Sequence, residues 1–326
     1  MKVARVVSGY RPTGKLHLGH YHGTLTNWIR MQDEYECFFF VADWHALTTR
    51  YDDVAGLQED INEMIMDWVA AGLNPEKCVI FKQSSVPEVA ELSLYLSMLT
   101  PLAWLERCPT YKEQLRELRG KEIATHGFVG YPVLQTADII LYHGEFVPVG
   151  EDQLPHLELA REIVRRFNNL YGDYFPEPQP LLSPIKKLLG IDGRKMSKSY
   201  NNAINLSDSP SEIRRKMRMA ITDPQRVYRT DLGHPDICLV FSLHELYSSH
   251  EIQDIREKCE KAVRGCTDCK DLLAERISDF HAEFREKRTQ LEREPGLVGT
   301  ILERGAERAR PIAGATLREV RRRMNV

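Results

Sequence analysis

The stretch Arg11-Pro12-Thr13-Gly14-Lys15-Leu16-His17-Leu18-Gly19-His20 constrains the fold most, because it stands where a first strand gives way to a first helix. Residues 3–8 are apolar and β-rich, residues 9–14 carry turn chemistry, and residues 18–31 have the period of an amphipathic helix. A helix that opens at the end of a strand aims its unsatisfied N–H groups and the positive end of its dipole at one spot, where an anion can settle. His17 and His20 flank Gly19 there. Imidazoles donate hydrogen bonds to phosphoryl oxygens without a permanent charge, and a residue with no side chain lets a flat base lie against the backbone. Neither G-x-G-x-x-G nor G-x-x-x-x-G-K-[ST] occurs in this turn, so the two common phosphate cradles do not explain it.

Downstream, strand patterns at 36–42, 78–83 and 145–149 alternate with helical patterns at 51–71 and 88–99. That alternation predicts an α/β fold, a doubly wound parallel sheet. Asp43-Trp44-His45-Ala46 falls at the carboxyl end of the second strand, where such sheets place ligands, and makes His45 a candidate pocket residue. Trp44, Trp68 and Trp104 read as core aromatics. A chain of 326 residues suits two domains. We expect a Rossmann-type catalytic domain over 1–200, a helical domain over 201–298 and a C-terminal helix over 299–326 that packs back on the body. The longest apolar run, 37–42, is far too short for a bilayer. The amino terminus has neither an apolar h-region nor a small-residue cleavage site, which points to the cytoplasm and away from a membrane. A net charge of −3 argues against a wholly nucleic-acid-coating protein and leaves room for local basic patches.

Two further stretches carry chemistry. A helix after Pro132 would bring Tyr131, Gln135 and Asp138 onto one face, and a carboxylate flanked by Ile139, Ile140 and Leu141 is costly to bury without a donor to accept from. Asp138 therefore reads as a specificity acceptor. The strand at 145–149 then runs into Gly150-Glu151-Asp152-Gln153, with His156, Glu158 and Arg161 on the helix beyond; acidic groups at a strand's end suit ribose hydroxyls. Farther on, Gly193-Arg194-Lys195-Met196-Ser197-Lys198-Ser199 places two lysines and two hydroxyls after an Asp192-Gly193 turn.

Beyond Ser199 the chain turns polar, charged and helical in period. Cys37, Cys78 and Cys108 are isolated in apolar segments and read as buried thiols. Cys238, Cys259, Cys266 and Cys269 form C-x20-C-x6-C-x2-C, a metal-site pattern in a chain expected to hold no disulfides. Thiolate-only ligation suits Zn2+ and an iron–sulfur cluster equally well on spacing. Arg214, Arg215, Lys216 and Arg218, and the tail Arg318, Arg321, Arg322 and Arg323, are candidate phosphate contacts or a solvated helix face.

An H-x-G-H followed at this distance by K-M-S-K-S resembles the paired signatures of class I aminoacyl-tRNA synthetases. Tyr131-x3-Gln135-x2-Asp138, then Gly150-Glu151-Asp152-Gln153, then the lysine loop, resemble the tryptophanyl-tRNA synthetase family over nearly the whole chain. Its sister, the tyrosyl family, shares the Tyr/Gln/Asp arrangement, but the G-E-D-Q run with His156 and Arg161 favours the tryptophan enzymes. An indole N–H is purely a donor and needs one acceptor, whereas a phenol needs a paired donor as well. The family's first-strand pocket wall falls here on Val7, which offers no hydroxyl.

The resemblance implies a two-step reaction: ATP and Mg2+ activate tryptophan as an adenylate, and the amino acid then passes to tRNA(Trp). It implies phosphate contacts from His17 and His20, adenine against Gly19, and Arg11, Pro12 and Thr13 on the α-phosphate side. Lys195 and Lys198 would follow charge onto pyrophosphate on a loop that includes Met196, Ser197 and Ser199, with Lys186 bordering the adenine. Asp138 would accept the indole N–H, Tyr131 and Gln153 would hold the ammonium, Gln135 and His45 would line the slot, and Gly150, Glu151 and Asp152 would meet the nucleotide. A subset of the family carries a cysteine quartet ending in x6, x2 that binds a 4Fe-4S cluster in the anticodon-binding domain. The resemblance therefore places a cluster on Cys238, Cys259, Cys266 and Cys269, with Zn2+ as the alternative, and implies a homodimer. Many relatives have Gln in place of Arg11, and Thr and Asn in place of His17 and His20.

Overall fold

The computed structural model describes residues 3–108, 125–182 and 188–326. The chain divides into two compact units, one of Met1–Gly14, Asn27–Pro184 and Glu294–Val326, the other of Lys15–Thr26 and Ile185–Arg293. These bounds differ from breaks at 200 and 298. The reason lies in the backbone: Leu18 N–H donates to Ile204 O (3.0 Å), Leu206 N–H to Leu16 O (2.9 Å) and Ile221 N–H to Ile191 O (2.8 Å). The histidine turn and the lysine loop thus belong to the helical unit.

In the first unit, β1 (Arg5–Tyr10), β2 (Glu36–Val41), β3 (Val79–Lys82), β4 (Phe146–Val149) and β5 (Gln179–Leu182) form one parallel sheet in the order β3-β2-β1-β4-β5. Cys37 to Val41 are all buried, as a strand covered on both faces requires. β5, with its Gln-Pro-Leu-Leu sequence, has no strand signature; Pro180 is tolerated there because β5 is an edge. Asp43–Arg50 is a helix, and the helix expected from residue 51 starts at Leu57, since Asp52 and Asp53 favour turns over helix interiors. His126–Ile140 is helical through Pro132, with the Thr125 hydroxyl accepting from Phe128 N–H (3.2 Å) at its start.

The Leu297–Met324 helix returns to the first unit along β3. Gly305 makes that approach possible: a Cβ there would lie 1.8 Å from the Ile80 carbonyl oxygen. Ala306, Ala309 and Ala313 continue the small-residue stripe, and Leu317 and Val320 close it. Three of the four tail arginines read as phosphate contacts or a solvated face are paired: Arg321 with both oxygens of Glu91 (2.7 and 2.6 Å), and Arg322 and Arg323 with Glu319.

The second unit carries the helices Pro210–Met219, Leu239–Tyr247, Ile252–Glu260, Cys266–Phe280 and Ala282–Leu291. Ser209 and Glu212 form a reciprocal capping box at the first of them. Its basic residues are also engaged, Lys216 with Asp208 (2.6 Å) and Arg218 with Asp271 (3.0 Å). Among the described residues no helix is long and apolar enough to cross a membrane.

Candidate active site

In the first unit the chemistry gathers at the carboxyl ends of the strands, where a parallel sheet opens. Asp138 is 3 % exposed and accepts from His45 Nε2 (2.9 Å) and from Gln83 Nε2 at both oxygens (2.8 and 2.9 Å). Gln83 also turns its carbonyl oxygen to the first-turn N–H groups of Trp44 (3.1 Å) and His45 (3.4 Å). Its amide orientation is thereby fixed. Burial pushes the Asp138 carboxyl up, while the His45 and Gln83 hydrogen bonds hold it down. The acceptor expected from sequence is thus held rigid, and lone-pair capacity remains for one more donor. Nothing in the sequence near Gln83 announced this; the signal is only its place at the end of β3.

Tyr131 lies two turns earlier on the same helix. Its hydroxyl hydrogen-bonds His156 Nε2, and His156 Nδ1 meets Gln153 Oε1 at 3.0 Å. Burial lowers the His156 pKa to about 4, so the ring is neutral at pH 7. Because the amide oxygen can only accept, the proton sits on Nδ1, and Nε2 accepts from the tyrosine O–H. The Cys108 thiol also hydrogen-bonds this hydroxyl, and the tyrosine oxygen keeps one lone pair to offer an ammonium group. Burial also keeps Tyr131 neutral by pushing its pKa up.

Gln135 is half-buried on that helix. Val7, expected as a pocket wall, is fully buried in the apolar core with a methyl pressed against Gly144; its tight packing there leaves it in the wall's interior. Arg11 donates to the Thr49 hydroxyl, Pro12 is buried and Thr13 exposed. Gly150 caps a single 3-10 turn, Glu151–Gln153, that presents Glu151 and Asp152 to solvent.

In the second unit His17 and His20 stack with ring centroids 3.5 Å apart, and His17 N–H donates to His20 Nδ1 (3.3 Å). His17 Nδ1 is buried without a partner among the described residues. Burial, with Lys198 and Lys195 nearby, lowers His17 to about 4 and His20 to about 2. Both rings are neutral donors at pH 7 and the two ammonium groups lie within electrostatic reach of them. The lysines ride a hairpin in which Gly190 N–H donates to Arg194 O (2.7 Å) and Met196 N–H to Leu188 O (3.0 Å), with Gly193 at φ +80 in the turn. Buried Asn202 staples it: Nδ2 donates to Asp192 Oδ1 (2.7 Å) and Lys195 O (3.1 Å), and Oδ1 accepts from Ser197 N–H (2.8 Å). Met196 is buried, Lys198 and Ser197 half-buried, and Lys195 and Ser199 exposed. Lys186 lies outside the described residues.

Four buried imidazoles, His17, His22, His156 and His281, have pKa values lowered to between about 3 and about 4. Unfolded histidine titrates near 6.5, so as pH falls below that value the unfolded chain takes up protons that the folded one refuses. Each contributes about 1.4 kcal/mol of lost stability per pH unit in that window. The thermal unfolding midpoint should fall steeply from pH 6.5 to 4.5 and be nearly level from 7 to 8; a level midpoint across the acid range would show these rings to be hydrated.

Cys238, Cys259, Cys266 and Cys269 are free thiols that line one small cavity of about 20 Å3 with Arg226 and Arg264. Arg226 Nε and Arg264 Nη1 are buried there with no hydrogen-bond partner among the described residues. His244 Nε2 meets Cys269 O at 3.1 Å and Cys269 Sγ at 3.4 Å. Among the described residues no three His, Cys, Asp or Glu side chains converge closely enough to hold a single metal ion. Cys37, Cys78 and Cys108 are buried, as expected.

Comparison with known proteins accords with this geometry. Residues 1–282 match the family described as tRNA synthetases class I (W and Y), and the chain belongs to that class. Within it the chain belongs to the tryptophan–tRNA ligases: it is 50% identical to that of Thermotoga maritima over 325 residues, covering 99% of each chain, and 43% identical to that of Aquifex aeolicus, covering 99% of this chain and 100% of the other. Among solved structures, the tryptophanyl-tRNA synthetase of Campylobacter jejuni complexed with ADP and tryptophan superposes with a TM-score of 0.89 at 32% identity, covering 99% of this chain and 100% of that one.

Proposed function

We infer that the chain is a tryptophan–tRNA ligase: it activates L-tryptophan with ATP to tryptophanyl-adenylate and transfers the amino acid to tRNA(Trp), releasing AMP and pyrophosphate. The observation that carries this is buried Asp138, fixed by His45 and Gln83 so that one acceptor position is left for an indole N–H, in a chain that aligns end to end with tryptophan–tRNA ligases. Charging of a tRNA(Trp) transcript with labelled tryptophan tests it. Acid-stable, base-labile label on the transcript is the expected result, and charging with tyrosine in its place would contradict it.

In the first step a tryptophan carboxylate oxygen attacks the α-phosphorus of MgATP, and the bond to the bridging oxygen breaks as pyrophosphate leaves. In the second, a hydroxyl of the terminal adenosine attacks the activated carbonyl and AMP leaves. Neither step needs a covalent nucleophile from the protein; positioning and charge neutralisation suffice. In this reading neutral His17 and His20 donate N–H to phosphate oxygens, and Lys195 and Lys198 neutralise the departing pyrophosphate. Gly19 lies against adenine, and Arg11, Pro12 and Thr13 border the α-phosphate. The Met196, Ser197 and Ser199 backbone shapes the loop, and Gly150, Glu151 and Asp152 meet the nucleotide. Tyr131, through its remaining lone pair, and Gln153 hold the ammonium, while Gln135 lines the slot.

The cysteine cavity is read as the seat of a 4Fe-4S cluster. Four thiols on one cavity supply the ligands, and Arg226 and Arg264, each with one buried unpartnered nitrogen, offset the negative charge of a thiolate-ligated cluster. Zn2+ is the alternative, since thiolate-only ligation suits either on spacing. Bound there by Cys238, Cys259, Cys266 and Cys269, a cluster would serve structurally and organise an RNA-reading surface. Anaerobically purified protein should be brown, with iron and acid-labile sulfide in equal amounts, and Cys266→Ser should lose both. Colourless protein containing zinc would contradict the assignment.

A homodimer is supported by an open, largely apolar groove of about 780 Å3 lined by Leu94, Leu102, Val129 and Leu134 from three helices, the first of which, Glu88–Leu99, also exposes Met98. A cytoplasmic place fits a tRNA-charging enzyme with reduced thiols.

A further inference from the structure

A buried polar cluster unused by the reaction begins two residues along the chain from His20. His22 Nε2 meets the Tyr247 hydroxyl at 2.7 Å, and the same hydroxyl meets His281 Nε2 at 3.1 Å. The three side chains are 7 %, 6 % and 2 % exposed, and Tyr21 and Phe280 pack edge-on around them. All belong to the second unit. A phenol between two neutral imidazoles donates its one hydrogen to one ring and accepts the N–H of the other. Replacing it by a hydrocarbon strands a buried donor and a buried acceptor.

His22 lies in an unusual element. Leu18–His20 is a single α turn, and Tyr21–Leu25 that follows is a π-helical turn, capped at its start by His20 itself. A π turn carries one residue more than an α turn and persists only where tertiary contacts hold it. Relaxing it to α geometry would rotate the preceding segment relative to the following helix by about 100°, the angle of one residue. The direction in which His17 and His20 face therefore depends on what grips the π turn from its buried side.

We propose that Tyr247 is a positioning residue for the triphosphate: its hydroxyl, clasped between His22 and His281, holds the π turn and so presents the stacked His17–His20 pair to ATP. This rests on the reading of those histidines as phosphate contacts. Tyr247 ends the helix that begins after Cys238, so the clasp ties the turn to a rigid element rather than to a loop.

The test uses the full chain carrying Tyr247→Phe, which keeps the ring and removes the oxygen. KM for ATP in pyrophosphate exchange should rise about tenfold, the scale of one stranded buried hydrogen bond, with KM for tryptophan unchanged. A hydroxyl needed only for folding would lower kcat through the active fraction and leave both KM values alone. If that variant fails to fold, His22→Gln and His22→Asn decide: the Gln amide reaches the place of Nε2 and should keep the wild-type KM for ATP, whereas Asn should raise it. An unchanged KM for ATP in Tyr247→Phe or His22→Asn, or equal rises for ATP and tryptophan, overturns the proposal. Absence of exchange in the wild-type chain would refute the ligase reading alone; the clasp is then read from ATP affinity by calorimetry, where the same weakening is expected and its absence overturns it.

Discussion

Asp138→Asn should raise KM for tryptophan by about 10²–10³ in pyrophosphate exchange while leaving KM for ATP near the wild-type value. The size follows from the hydrogen-bond inventory. Both carboxylate oxygens already accept, from His45 Nε2 and from Gln83 Nε2. Gln83 cannot flip its amide to accommodate a new donor, because its carbonyl oxygen holds the Trp44 and His45 N–H groups. An asparagine would therefore aim its NH2 at the Gln83 or His45 donor, or at the indole N–H, and wherever it points two donors face each other in a dry site. Competition assays with indole analogues lacking the N–H provide the check: the wild-type chain should discriminate against them strongly and the variant hardly at all.

The second large effect is expected at Lys198. Lys198→Ala should lower kcat for exchange by about 10²–10³ with KM for tryptophan unchanged, the loss typical of one preorganised group aimed at charge that develops in the transition state. The ammonium is placed for this: it sits in electrostatic reach of His17 and His20, on a hairpin braced by Asn202. Lysine on a merely solvated loop would be removed at no cost to kcat, and stopped-flow or steady-state exchange separates the two cases.

Much of this arrangement was legible before any coordinates, for a physical reason. Strand-to-helix junctions and a glycine turn are local devices, so the first histidine turn, the parallel strands and the lysine hairpin write themselves into short stretches of sequence. Asp138 stood out because an acid among isoleucines demands a partner. The partner did not stand out. Gln83 and Asn202 act across 55 residues and within a hairpin respectively, and an amide carries no mark in sequence that it will be buried and spent on backbone groups. The same holds for the π turn at Tyr21–Leu25, whose buried His22 meets Tyr247 far along the chain. The arginine runs read as phosphate contacts or as a solvated helix face, and several of those guanidinium groups pair with Glu91, Glu319 and Asp271. β5 was invisible because an edge strand tolerates a proline and needs no alternation.

The central claim is that a fixed buried carboxylate selects the indole ring for activation by ATP. Exchange of labelled pyrophosphate into ATP, measured with purified wild-type chain against each of tryptophan, tyrosine and phenylalanine, tests it most directly. The account predicts exchange that depends on tryptophan, with tyrosine and phenylalanine at background. Exchange driven by tyrosine, or exchange indifferent to the amino acid supplied, would contradict it.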